Sequence, residues 1–356
     1  MNQLMDWRSF ENSLKTEAHL CSQTAANYLT SIFDGIGELQ TRNGGSLVVD
    51  AGPGTDFHIL YRARVFQSDD QLEAALGRPD IHLGSPPASL AVAGRMNPRG
   101  ISVFHGASNQ KAAIAEVRPP VGSQVAVAQF EIIRKLRLLD LTALSDVRVT
   151  GSFSDLRLAV FLRSLSGRIT RPVMPDDEPL EYLATQAIAD FLATEASVPI
   201  DGIIFPSVQA AGGVPNVILF HKAARVETMN IPEGTEISAS TGRWAEVGWV
   251  EDYEVLESVP PLHELIDNNE QELESPDIAP TAQAMPLDRP HGDLRDDSLR
   301  IVPENMEVHC VQRVEFAMDV FTVKRRRREK RDEAWPPGMR CQTSFPTLQH
   351  FQQRDK

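Results

Sequence analysis

The stretch from Gly94 to Pro119, GRMNPRGISVFHGASNQKAAIAEVRP, constrains this chain more than any other. It opens on turn signals, Gly94-Arg95 and then Asn97-Pro98-Arg99-Gly100, where Pro sets φ, Gly permits positive φ and Asn bonds its own backbone. An apolar run, Ile101 to His105, predicts a short buried strand. A polar loop follows, and Ala107 to Val117 has the apolar spacing of a short helix with Ser108 as its N-cap. Pro119-Pro120 stops that helix. The result is a strand-loop-helix join with arginines on one side and Glu116, the only carboxylate of the stretch, late in the helix. Such a join suits an anionic ligand that contains a sugar.

The segments around it supply further groups. Phe57 to Val65 reads as a strand, and period two places Arg62 and Arg64 on one face with Leu60. Paired guanidiniums on one strand face can clamp a phosphate. Val125 to Phe130 and Leu136 to Leu141 predict strands, with Arg134, Lys135 and Arg137 as a solvated charge run between and beside them. Phe153 to Leu165 and Glu181 to Glu195 predict helices. Asp201 to Ser207 predicts a strand ending at a hydroxyl, and Ala211-Gly212-Gly213 lets a backbone approach a ligand closely. Asn216 to Phe220 predicts one more strand.

At 356 residues the chain has room for one large domain or two ordinary ones. Residues 1–50 read as a helical N-terminal extension, closed by the Asn43-Gly44-Gly45 break, and 51–225 as the main domain. Beyond it, 226–256 holds Trp244 and Trp249 in a hairpin-like pattern. Acidic, proline-punctuated 257–300 predicts a disordered linker, and 301–356 a basic tail with Lys324 to Arg331 at its centre. The net charge of −14 argues against general nucleic-acid binding, which is left to that basic run alone. Cys21, Cys310 and Cys341 are too scattered for a zinc site or a disulfide framework, so no metal and a reducing, cytoplasmic setting are expected. No apolar run reaches the roughly 18 residues of a membrane span, and the N-terminus is unlike a signal peptide.

The order of short blocks carries a resemblance. Leu60-Tyr61-Arg62, Gly94-Arg95-Met96-Asn97-Pro98, Val103-Phe104-His105-Gly106-Ala107, Ala115-Glu116, Thr185-Gln186, Asp201-Gly202-Ile203 with Ser207, and Asn216-Val217-Ile218-Leu219-Phe220 together resemble the RES-domain family, over about residues 57–225. The family is named for an Arg, a Glu and a Ser, which fall on Arg62, Glu116 and Ser207. The resemblance implies an α+β fold like that of ADP-ribosyltransferases, a mixed β core with flanking helices, here extended by N-terminal helices. It implies NAD⁺ as substrate, a toxin's role and an antitoxin protein as partner. Arg62, Glu116 and Ser207 are its catalytic set, and Tyr61, Arg95, Asn97, His105 and Asn216 its NAD-binding set. Met96 stands where the family usually has Trp, and His105 where it often has Tyr.

The chemistry fits those residues. Cleaving the nicotinamide-ribose bond develops oxocarbenium-like charge on the sugar, as in glycoside hydrolysis. One carboxylate, Glu116, can stabilise it. The leaving nicotinamide is already cationic in the ground state and needs no general acid. Water, phosphate or a macromolecule can each be the acceptor, the last giving an ADP-ribosyltransferase. A non-catalytic NAD or nucleotide sensor is the other reading of the same residues.

Overall fold

The computed structural model describes residues 7–16, 23–33, 35–148, 153–171, 173, 175–207, 209–210, 213–246, 248–261, 293–315, 318 and 320–325. Those up to Val314 belong to one compact unit, and those from Glu315 to a second. The expectations for the acidic stretch fall largely on 262–292, and those for the basic run on 326–331, outside the described residues. Among the described residues no helix is long and apolar enough to cross a membrane.

The fold is mixed α+β. Two helices open the chain, α1 (Trp7–Thr16) and α2 (Gln23–Phe33). Then come β1 (Val48–Ala51), β2 (Ile59–Phe66), α3 (Asp69–Gly77), the one-turn α4 (Pro79–His82), β3 (Phe104–Ala107), α5 (Gln110–Val117), β4 (Gln124–Ile132) and β5 (Leu136–Asp140). The helices α6 (Phe153–Thr170), α7 (Glu178–Glu181) and α8 (Leu183–Thr194) follow, and the strands β6 (Gly202–Pro206) and β7 (Pro215–Leu219). A hairpin, β8 (Glu236–Ala245) with β9 (Gly248–Ser258), and a last strand, β10 (Leu299–Cys310), complete it.

Eight strands form one sheet in the order β1-β5-β6-β7-β3-β2-β4-β10. Every pairing is antiparallel except β5 with β6. Each face buries its own apolar set, as a sheet covered on both sides requires. On one face Leu139, Ile203 and Ile218 meet Phe10, Leu29, Phe33, Phe161 and Ile188, so α1, α2, α6 and α8 share a core with the sheet. On the other, Leu60, Phe104, Phe130, Leu138 and Val217 pack with Leu72, Leu76 and Leu83 around α3 and α4. A third, small-residue cluster seats α5 through Ala112 and Ala113 on Ala63, Val125 and Val127.

Three local expectations change. The helix before Glu116 is capped by Asn109, not Ser108: the Asn109 Oδ1 accepts from the Ala112 amide at 2.8 Å. The strand ahead of it begins at Phe104, because Ile101 is still held in the turn, its carbonyl accepting from the Asn97 amide at 3.0 Å. Arg134 is half-buried rather than solvated, with Nε donating to Ser298 Oγ at 2.9 Å.

The C-terminal boundaries also shift. Where a linker was expected to run into a tail, Leu299–Cys310 pairs with β4 and extends the sheet. Leu299 and Ile301 are buried at alternate positions, a strand signal that the surrounding Asp and Arg residues dilute in the sequence. Arg225 anchors the approach to this strand, with Nε 2.8 Å from Asp297. Asp293, hydrogen-bonded by Arg295 at 2.7 and 2.8 Å, is held well below the usual carboxylate range by that partner.

Candidate functional site

The site lies where the sheet splits. Between β2 and β3 only Tyr61 and Ala107 are in register, so beyond that pair the strands splay. A cleft of about 270 Å³ occupies the gap. Its walls carry Tyr61, Arg62, His105, Glu116, Phe205 and Asn216 among others. Gly106 allows the approach at the apex: a Cβ there would stand 2.9 Å from Phe104 and 3.2 Å from Leu60.

Arg62 spans the split. Its Nη1 donates to the His105 carbonyl at 3.0 Å, and its guanidinium carbon lies 5.2 Å from the Phe104 ring centroid. Burial, then the neighbouring Arg64, lower its pKa to about 10. It therefore remains a cation at neutral pH. His105 lines the cleft and keeps part of its surface in solvent. Desolvation, then Arg62, push its imidazole down to about 4, so it is neutral above that pH.

Glu116 reaches the cleft from the last turn of α5. It sits three and four residues beyond Ala113 and Ala112, hence on the helix face that rests on the sheet. Its Oε1 accepts from Ser207 Oγ at 2.6 Å and from Asn216 Nδ2 at 2.6 Å. Both bonds fall on one oxygen, which leaves Oε2 without a described donor. Ser207 cannot turn away: its hydroxyl also accepts from the Gln209 and Ala210 amides at 3.1 and 3.0 Å. Ser207 directly follows β6, and Asn216 is second in β7, paired with Phe205 on one side and Ala107 on the other. The exit of β6 and the start of β7 thus converge on one carboxylate.

The helix end is tied to the same loop. Arg118 adopts φ 46° and ψ 57°, the only non-glycine with positive φ among the described residues. With the Gln209 amide oriented by its hydrogen bonds, its oxygen accepts from Arg118 Nη2 at 2.8 Å.

Arg62, Glu116, Ser207, Tyr61, His105 and Asn216 therefore gather in one place, but other expected ligand groups do not. Arg64 turns to the His82 carbonyl at 2.6 Å and lies against Phe66, so no clamp forms with Arg62. Arg95 is absent from the described cleft lining. Its Nη1 donates to the Arg168 carbonyl at 2.9 Å, and its guanidinium carbon lies 5.3 Å from the Tyr182 ring centroid. Asn97 is buried and faces its own turn, its amide donating to Val92 and Ile101 at 2.9 and 3.0 Å. Gly94 is required beside it, since a Cβ would come within 2.7 Å of the Asn97 Oδ1.

Thr185 and Gln186 explain why these residues stay inside the scaffold. The Thr185 hydroxyl donates to the Arg95 carbonyl, and Gln186 Nε2 donates to the Gly94 and Asn97 carbonyls at 2.7 and 3.0 Å. The turn is a strut between α8 and the cleft wall. Of Ala211-Gly212-Gly213 only Gly213 is described, with φ 67°. Phe205 is a cleft residue that the sequence reading missed, although period two back from Ser207 reaches it.

A family model described as the RES domain matches residues 59–240, about half of the chain. No curated protein matches the chain.

Proposed function

The chain belongs to the RES-domain family, and from that premise we propose that it consumes NAD⁺ by cleaving the bond between nicotinamide and ribose. The observation that carries this reading is the Glu116 carboxylate, held at one oxygen by Ser207 and Asn216 in the same cleft as the Arg62 cation. A carboxylate fixed in this way meets developing positive charge with little reorganisation, which is how preorganised groups lower a barrier.

In this reading the free Oε2 of Glu116 faces the ribose and stabilises its oxocarbenium-like state. Ser207 and Asn216 position Glu116. Arg62 neutralises the phosphate next to that ribose. Tyr61 and Phe205 wall the nicotinamide ring, with His105 as a neutral lip. Arg95 and Asn97, placed with the ligand in the sequence reading, act through the turn that supports the wall.

The test is nicotinamide release from NAD⁺ by the purified chain and by Glu116→Ala. Loss of one such electrostatic group costs about 10²–10³ in rate, and an unchanged rate would overturn the proposal. Product identification then assigns the acceptor as water, phosphate or a macromolecule. The physiological role proposed is that of a toxin restrained by an antitoxin protein. Expression in cells should deplete NAD⁺ and arrest growth, and Glu116→Ala should do neither.

A further inference from the structure

The described cleft encloses only part of a dinucleotide. Its volume of about 270 Å³ falls below the roughly 300–1,000 Å³ of pockets that enclose most of a drug-sized ligand, and NAD⁺ exceeds such ligands. The position of Glu116 decides which part is enclosed. The sugar whose bond breaks must lie against it, so nicotinamide and its ribose fill the space beside Tyr61 and Phe205.

The charge count agrees with the volume. Arg62 is the one cationic side chain among the described residues of the lining. Arg64 and Arg95 are spent on the His82 and Arg168 carbonyls. His105, lowered to about 4, brings no charge at neutral pH. One guanidinium matches one phosphate, the 5′-phosphate on the nicotinamide ribose. The second phosphate and the adenosine find no described cation in the cleft and extend into solvent.

Building on the cleavage proposed above, we propose that the recognised unit is nicotinamide ribose monophosphate, and that the adenosine half of NAD⁺ is dispensable. β-Nicotinamide mononucleotide is then a substrate in its own right, and so is NADP⁺, whose extra phosphate sits on the half left outside. With water as acceptor, the C1′–N1 bond of the mononucleotide breaks and its electron pair returns to the ring nitrogen, releasing neutral nicotinamide. The water oxygen bonds to C1′ and its proton goes to solvent, giving ribose 5-phosphate.

The experiment incubates the full-length protein separately with NAD⁺, NADP⁺ and β-nicotinamide mononucleotide and follows nicotinamide release. The expected result is a kcat/KM for each of the other two within about tenfold of that for NAD⁺, because no remote binding energy is being drawn on. A larger fall for the mononucleotide or NADP⁺, with NAD⁺ still cleaved, overturns this inference and leaves the cleavage standing. Release from none of the three overturns the cleavage itself. Glu116→Ala should suppress all three reactions together. Persistence of mononucleotide cleavage in that variant would assign it to a different site and refute the proposal.

Discussion

Ser207 has two obligations at the level of a single hydroxyl. It donates to Glu116 and accepts from the Gln209 and Ala210 amides. Ser207→Ala removes the acceptor of both amides and leaves the carboxylate held by Asn216 alone. Each lost hydrogen bond costs about 0.5–1.5 kcal/mol, so the variant should melt earlier and also release nicotinamide more slowly. A variant that melts earlier but keeps its rate would remove Ser207 from the positioning of Glu116. His105 gives a pH signature. Its ordinary pKa is 6.5 and its folded value about 4. As the pH falls through that window the unfolded chain takes up the proton first, so stability is present above pH 6.5 and drains away toward pH 4. Unfolding midpoints of wild type and His105→Gln at pH 4.5 and 7.5 check this: the variant should lose less stability on acidification. Equal losses would mean that the imidazole is not the group responsible.

α5 places Glu116, and it does so through what it lacks. Ala112 and Ala113 let the helix lie close on Ala63, Val125 and Val127. Ala113→Leu adds bulk at that contact, with an overpacking cost of about 1–3 kcal/mol, and should lift Glu116 from Ser207. Nicotinamide release should fall while the far-ultraviolet circular dichroism spectrum is retained. The N-terminal helices are equally committed: Phe10 and Phe33 are fully buried against Phe161 and Phe191. Phe33→Ala should cost about 3–5 kcal/mol by chemical denaturation; a change under 1 kcal/mol would mean that α2 is peripheral. Much of this was legible beforehand. Apolar periodicity located α2, α8 and the strands β4 to β7, and the lone carboxylate of its stretch marked Glu116. What stayed hidden were choices that depend on partners distant in sequence. Arg62 and Arg64 look equivalent on one strand face, and only the position of the His82 carbonyl, set by α4, sends Arg64 away. Arg95 and Asn97 look like ligand groups until Thr185 and Gln186 arrive from α8 to take the turn.

At the scale of the whole molecule, β10 guards the edge of the sheet. It covers β4, which would otherwise present a row of unpaired backbone groups, and unprotected edges invite association. A chain ending at residue 261 should aggregate, or elute as a larger species in size-exclusion chromatography. A monomeric truncated chain would show that β4 tolerates solvent. The sequence hid this strand because its partner lies more than 160 residues upstream and its neighbourhood is rich in Asp and Arg. The splay between β2 and β3 has its own bearing on dynamics. A sheet interrupted at its interior leaves amides along the fissure to trade hydrogen for deuterium sooner than those in the continuous ladder between β2 and β4. Anything lodged in the opening braces two strands at once, so those amides of Arg62 through Val65 and Phe104 through Gly106 that are not bonded to β4 or β7 should slow their isotope uptake, while the outermost strand β1 keeps its own pace.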